Sequence, residues 1–189
     1  MNKIPVVIEA LAYILSKLGK VDKIHLVKLM YLADKYHIMS YGRTITEDDF
    51  YAFPHGPAGS KTIDVLEYDS YVLQEYIDRA KELIETDDKK EFKLNEESKI
   101  NDFEMISESD IEALDFAIAN FGKMDKWDVV KYTHELKEWK QFEQRFKDNK
   151  TKRESISLPD ILISPHDRYF SIPDEHIEES LQIATGSTD

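Results

Sequence analysis

Apolar residues recur at helical spacing along most of the chain, which predicts a mainly α-helical protein. Apolar side chains three or four residues apart predict a first helix from Pro5 to Leu18, which Gly19 ends. Asp22 is positioned to cap a second helix, and Gly42 stands where a left-handed stop residue belongs. This second helix carries two adjacent apolar stripes, so we expect it to be covered on two sides.

The segment after the second helix predicts a short strand followed by a turn. Phe50 to Phe53 is an aromatic run that suits a pleated surface, and Pro54 limits the strand to a sheet edge or an early finish. His55-Gly56-Pro57 predicts a sharp turn, with Pro57 as the first residue of a third helix.

Chain breaks, helix caps and the spacing of apolar residues predict the remaining elements. Tyr68 to Ser70 predicts a break, and Ser107 with Asp110 three residues later is a helix start of the capping-box type. The remaining predicted elements are helices over Tyr71–Ile84, Lys126–His134, Glu138–Lys147 and Glu175–Ile183, and a strand over Phe92–Leu94. Together they predict an α+β, mainly α-helical fold: a single compact domain with a small β element of short strands.

Composition supports a folded protein and excludes some chemistry. With 189 residues and 41% hydrophobic content, the chain is long enough for one domain with a sizeable core. It has no cysteine, so disulfides and thiolate metal sites are excluded. The apolar run near the start is interrupted by Glu9 and Lys17 and is too short to span a bilayer, so we expect no membrane association and a cytoplasmic protein.

The net charge of −13 argues against a general affinity for nucleic acid, which depends on neutralising phosphates. The acidic excess is uneven: it falls between Glu75 and Asp115 and again after Glu154. Two interpretations remain open. These regions are either solvated helix faces or a surface that complements a basic partner.

Histidines and carboxylates are the candidate chemical groups. His55 and His134 are the best placed, and they would either form a metal or acid/base site or act as buried imidazoles that fix a turn. The run Glu47-Asp48-Asp49 resembles solvated loop charge, and Arg43 is positioned to anchor one of these acids. No nucleophile elbow or phosphate loop is present in the sequence, so we predict no catalytic residue, no metal and no cofactor.

Two ordered blocks of residues resemble a known family, the Panacea domain of SocA-like antitoxins, whose relatives include phage-associated proteins. The first block holds Tyr-Leu-Ala-Asp ending at Asp34, then Ile45-Thr46 and the His-Gly-Pro turn. The second runs from Ser107 to Trp139. The resemblance assigns structural roles to these motif residues: Asp34, His37, Tyr41, Gly42, Arg43, His55, Gly56, Pro57, Thr133, His134 and Trp139.

Two residues depart from the family pattern. Thr44 stands where the family usually has proline, and we expect it to loosen a loop. Glu138 stands where proline commonly precedes Trp139, and we expect it to loosen a helix entry. The resemblance covers most of 24–139, so we predict a Panacea-like antitoxin domain over 1–150 and a partly ordered acidic C-terminal extension over 151–189.

The resemblance implies an antitoxin that neutralises its cognate toxin by direct protein–protein binding, in a bacterial, phage or prophage toxin–antitoxin pair that serves phage defence. The toxin would come from an adjacent gene, and a cytoplasmic protease is a further possible partner if the protein acts as a proteolytic adaptor. Alternatives are a histidine- and carboxylate-dependent hydrolase or metal-binding enzyme, and a DNA-binding autorepressor. The expected toxin contacts are the tyrosines and acids of the acidic region and an aromatic pair in the tail: Tyr68, Tyr71, Glu75, Tyr76, Glu82, Glu85, Tyr169 and Phe170.

Overall fold

The computed structural model describes residues 3–98, 103–162 and 167–186 and confirms a mainly α-helical fold with small antiparallel sheets. The helices are α1 (Ile4–Leu18), α2 (Lys23–Tyr41), α3 (Ser60–Glu67), α4 (Ser70–Leu73), α5 (Ile77–Leu83), α6 (Glu108–Phe121), α7 (Lys126–Glu135), α8 (Lys137–Lys140), α9 (Glu143–Lys147), α10 (Leu158–Leu162) and α11 (Asp174–Thr185). The strands are β1 (Val21–Asp22), β2 (Phe50–Phe53), β3 (Gly56–Gly59), β4 (Ile84–Glu85), β5 (Glu91–Leu94) and β6 (Glu154–Ile156).

Helix α2 is the central element of the fold. The Asp22 side chain accepts a hydrogen bond from the Ile24 amide at 2.9 Å, and Gly42 ends the helix in the left-handed conformation with φ of 70°. Between these ends α2 packs against α6, α7, α11 and β3, so it is covered on more than the two sides that its apolar stripes predicted. The cap at Asp22 and the stop at Gly42, which mark the two ends of α2, are as the sequence predicted.

A three-stranded antiparallel sheet has the order β3-β2-β6. Phe50 in β2 lies opposite Gly59 on one side and Ile156 on the other. The prediction that Pro54 would restrict β2 to an edge was wrong, because β2 is the central strand. The alternative, an early finish, is correct, since β2 ends at Phe53.

The prediction of a helix beginning at Pro57 was also wrong. Pro57 lies in β3 opposite Ala52, and α3 begins only at Ser60. Strand β3 pairs on one side only, so it tolerates a residue that has no amide hydrogen.

Two predicted helices are shorter than expected. The segment Tyr71–Ile84 is divided into α4, a 3-10 turn and α5, because Gln74 adopts a positive φ of 48°. The segment Glu138–Lys147 is divided into α8 and α9. By contrast, the break at Tyr68, strand β5 and the complete capping box at Ser107 are as predicted.

The region after residue 150 packs against the rest of the chain. Strand β6 pairs with β2, and α11 packs on α2, where the Ser180 hydroxyl donates to the Met39 carbonyl at 3.1 Å. Within the described residues no helix is long and apolar enough to cross a membrane. The last residues of the predicted extension, 187–189, lie outside the described part of the chain.

Candidate functional site

The motif residues at the end of α2 connect this helix to the start of α6. His37 Nε2 lies 3.1 Å and Arg43 Nη2 lies 3.0 Å from Asp110 Oδ1, and His37 Nδ1 donates to the Arg43 carbonyl at 2.7 Å. Burial alone would raise the pKa of Asp110, but hydrogen bonds from His37 and Ser107 and the charge of Arg43 hold it well below its usual value. The expectation that Arg43 anchors the nearby loop acids was wrong, because its partner is Asp110.

Tyr41 and Gly42 belong to the same junction. The Tyr41 hydroxyl donates to Glu112 on α6 at 2.6 Å. A side chain at Gly42 would lie 2.7 Å from Ile183 on α11, so the glycine both ends α2 and allows α11 to approach. Tyr41 and Gly42 therefore both lie where α2 contacts neighbouring helices.

Asp34 connects α2 to the segment that follows it. Its two carboxylate oxygens accept from the Thr46 amide at 3.1 Å and the Thr46 hydroxyl at 2.7 Å. Burial raises the pKa of Asp34 to about 7, although the hydrogen bonds from Thr46 oppose the shift. Thr44, one of the departures from the family pattern, is buried and accepts from the Glu47 amide at 3.1 Å, which closes a turn in the same segment.

Asp48 is a buried cap and not the solvated loop charge that the sequence suggested. Its carboxylate accepts from the Lys61 amide at 2.8 Å and the Thr62 amide at 3.0 Å, and so caps α3 from twelve or more residues away. A side chain at Gly59 would lie 2.1 Å from Asp48 Oδ2. The glycine is therefore required for this remote cap.

The two motif blocks meet at the β2–β3 turn. Trp139 Nε1 donates to the Phe53 carbonyl at 2.8 Å, and the His134 ring stacks on Trp139 with centroids 3.8 Å apart. The pKa of His134 is lowered by burial and by the nearby charge of Lys28, while a hydrogen bond to the His55 backbone opposes the shift. Thr133 packs against Gly56, where an added Cβ would lie 2.7 Å from its hydroxyl.

The prediction of a buried imidazole at His55 was wrong. His55 is exposed, and its ring lies edge-on to the exposed Trp127 at a centroid distance of 6.1 Å. The backbone of His55, rather than its ring, makes the contact with His134. His134 instead occupies the half-buried structural position.

A buried polar cluster between α2 and α8 was not predicted from the sequence. Glu138 Oε1 accepts from Lys35 Nζ at 2.6 Å and from the Tyr31 hydroxyl at 3.0 Å, and all three side chains are buried. Burial and the adjacent Glu138 carboxylate raise the pKa of Tyr31 well above its usual value. Glu138 departs from the family pattern, and its role is to pair with Lys35 rather than only to loosen a helix entry.

Lys28 is the second missed residue. It is 3% exposed, and its ammonium group donates to the Pro57 carbonyl at 2.6 Å. Burial lowers the pKa of Lys28 to about 7. The spacing of residues 28, 31 and 35 could have indicated that these side chains share one face, because they lie three or four apart on a helix that is buried on most sides.

The predicted toxin contacts differ in accessibility. Phe170 is 1% exposed and was wrongly expected at the surface, because it packs into the core against Phe116. Tyr68, Tyr76 and Tyr169 are partly buried, and the Tyr68 hydroxyl donates to the Ile84 carbonyl. Tyr71 is 87% exposed, and Glu75 and Glu82 are exposed near it in the chain.

The described residues contain no group of three or more histidines and carboxylates that could hold a metal ion.

Together, the motif contacts connect α2, the β2–β3 turn, α6 and α7. They build a scaffold in which exposed residues of α4 and α5, such as Tyr71 and Asp78, take no part.

Comparison with known proteins identifies this scaffold. The family model described as "Antitoxin SocA-like, Panacea domain" matches residues 26–140. Neither the curated proteins nor the solved structures contain a match to this chain. Because the family model covers more than half of the chain and includes both motif blocks, the chain belongs to the SocA-like antitoxin family that the Panacea domain defines.

Proposed function

We propose that this protein is an antitoxin that neutralises its cognate toxin by direct protein–protein binding. The observation that carries the proposal is the family match over residues 26–140. Membership in an antitoxin family implies a toxin partner and suggests a binding protein rather than an enzyme. We further propose that the toxin is encoded by an adjacent gene.

The proposed contact surface is the α4–α5 face, which we define as Tyr71, Glu75, Asp78 and Glu82. All four residues are exposed. Tyrosine is a common interface anchor because it offers a large rigid surface together with a hydroxyl, and Tyr71 is almost fully available. The acids around it would attract a basic partner and set the approach rate.

Some of the neighbouring acids already have partners within the chain. Glu82 Oε2 pairs with Arg79 at 3.0 Å, and Glu85 Oε1 pairs with Lys93 at 3.2 Å. Exposed pairs of this kind contribute little to stability, so a basic group on the toxin could replace Arg79 or Lys93 at small cost. Tyr68 and Tyr76 would support the contact as partly buried residues close to it in the chain, whereas Tyr169 packs on Phe121 and Tyr132.

A co-expression experiment tests this function. The adjacent small gene is induced in a host with and without this protein, and growth and co-purification are measured together. We expect toxicity from the neighbour alone, rescue by this protein, and a complex that survives purification. A neighbour that stays toxic in the presence of folded, soluble protein would overturn the proposed pairing.

A further inference from the structure

A mainly apolar pocket of about 270 Å³ opens beside the β2–β3 turn. Helix α2 forms one wall, and β2, β3 and α3 form the others. Its lining includes Lys23, Val27 and Lys28 of α2, Phe53 of β2, Gly56 of β3 and Ile63 of α3. A pocket with an apolar lining and few polar groups is the usual arrangement for binding a small organic group.

Lys28 is the polar group in this pocket whose donors are not satisfied. An ammonium group has three N–H donors, and among the described residues only the Pro57 carbonyl accepts from it. Its side chain is 3% exposed, so water does not satisfy the remaining donors freely. Burial accordingly lowers the pKa of Lys28 to about 7.

The backbone of Gly56 approaches the Lys28 amine closely. Gly56 has φ of +101°, and a Cβ added there would lie 3.0 Å from Lys28 Nζ. Any other residue would therefore crowd the amine and strain the turn. The second cationic lysine of the pocket, Lys23, is paired with Glu67 and is not available in the same way.

We propose that this pocket binds a carboxylate carried on a small apolar group, with Lys28 Nζ as the donor to the carboxylate. A carboxylate would both accept hydrogen bonds from the free donors and compensate the buried positive charge. A neutral acceptor would accept the hydrogen bonds but would leave the charge uncompensated. The apolar part of the ligand would lie against Val27, Phe53 and Ile63. The carboxylate would belong either to a free acid or to the C-terminal residue of a peptide chain, and this site does not depend on toxin binding.

The test uses the ¹⁵N-labelled protein and follows the amide signals of His55, Gly56 and Ala58 during titration. The probes are phenylacetate and its neutral isostere phenylacetamide, and acetyl-Gly-Phe with either a free or an amidated C-terminus. We expect at least one acid to bind saturably and at least about tenfold more tightly than its matched amide. Binding of phenylacetate would indicate that a free acid suffices; binding of the peptide acid alone would indicate a chain terminus.

Two variants assign the effect to Lys28. Lys28→Met keeps an unbranched apolar side chain and should remove the preference for acid over amide, whereas Lys23→Met, on the same pocket wall, should retain it. Affinity for the acid should fall from pH 6 to pH 9 in the parent but not in Lys28→Met, which keeps Lys23, Glu67, His55 and His134 beside the pocket. Failure of both acids to bind, equal binding of acid and amide, or an unchanged preference in Lys28→Met would overturn the proposal.

Discussion

Lys35 Nζ lies 2.6 Å from Glu138 Oε1, and both side chains are buried between α2 and α8. The Lys35 amine also donates to the Ile161 carbonyl at 3.1 Å, so one ion pair joins the motif helix, the second motif block and the C-terminal region. Removing one partner of a buried pair leaves an uncompensated buried charge, which is costly. Removing both partners leaves no such charge.

We therefore predict strong non-additivity at this pair. Lys35→Met or Glu138→Leu alone should lower the free energy of unfolding by about 3–5 kcal/mol. The double variant should lose clearly less than the sum of the two. Urea denaturation of the four proteins measures the cycle, and additive losses would show that the pair does not act as a unit.

The buried carboxylate of Asp34 predicts a pH dependence of stability. Its pKa is about 7 in the folded protein against an ordinary value of 3.8, so between these values the folded state holds a proton that the unfolded state has released. This group's contribution to stability is complete below about pH 4, declines as the pH rises, and is lost above about pH 7.

Asp34→Asn isolates this contribution because it keeps an oxygen that can accept from Thr46. The parent should lose stability relative to the variant between pH 4 and pH 7, by an amount on the order of a few kcal/mol. Asp48, whose pKa is also raised by burial, is present in both proteins, and its charge contributes to the raised pKa of Asp34 that the comparison measures. A constant difference across this range would mean that Asp34 stays ionised in the folded protein.

The remote cap of α3 predicts coupling between Gly59 and Asp48. The backbone at Gly59, with φ of −84°, suits any residue, and the three atoms nearest to an added Cβ all belong to Asp48, so the main cost of Gly59→Ala is the clash with Asp48. Asp48→Ala should cost about 1–3 kcal/mol, since it leaves buried amides without an acceptor. If the glycine serves to admit the carboxylate, Gly59→Ala should cost clearly less in the Asp48→Ala background, where only the Cβ at position 48 stays close, at 3.0 Å. Equal costs of Gly59→Ala in both backgrounds, measured by thermal or urea unfolding, would exclude this explanation.

The two motif histidines should differ in their effect on stability. His134→Ala removes the stacking on Trp139 and the bond to the His55 backbone, and should cost about 1–3 kcal/mol. His55→Ala removes an exposed ring and should change stability by no more than about 0.5 kcal/mol. Melting temperatures measured side by side decide the point, and the opposite ranking would contradict the assigned roles.

The α4–α5 face predicts which surface variants weaken protection. Tyr71→Ala should leave the melting temperature unchanged and raise the dissociation rate of the toxin complex, because the ring is exposed and makes no core contact. Replacing Glu75 and Glu82 by lysine should slow association, more strongly at low salt than at high salt. Substitution is a cleaner test than removal of the tail, because α11 packs on α2 and its loss would disturb the fold. Unchanged kinetics in these variants would locate the contacts elsewhere on the protein.

Much of the fold follows from local signals in the sequence. Asp22 and Ser107 are helix caps in the structure as predicted, since a cap needs only the residues next to it. The strand Gly56–Gly59 was missed because its composition favours a turn. It exists because it pairs with β2, which in turn pairs with β6 about a hundred residues later, and such pairing has no local signature.

The candidate site was likewise predicted only in part from the sequence. The family resemblance named His37 and Arg43, but their common partner Asp110 appears only when α2 packs on α6. Lys28 and Lys35 were missed because lysine is almost never fully buried, so composition predicts exposure. Phe170 was wrongly expected to be exposed, because the C-terminal segment that carries it is rich in proline. In the structure this segment packs onto the core, and the Phe170 side chain is buried.

Direct binding is tested by a calorimetric titration of the purified toxin with this purified protein, with no other cellular component present. We predict saturable binding at a fixed stoichiometry, with loss of toxin activity in proportion to the complex formed. If the toxin is neutralised in cells but no complex forms between the purified proteins, neutralisation does not occur by direct binding.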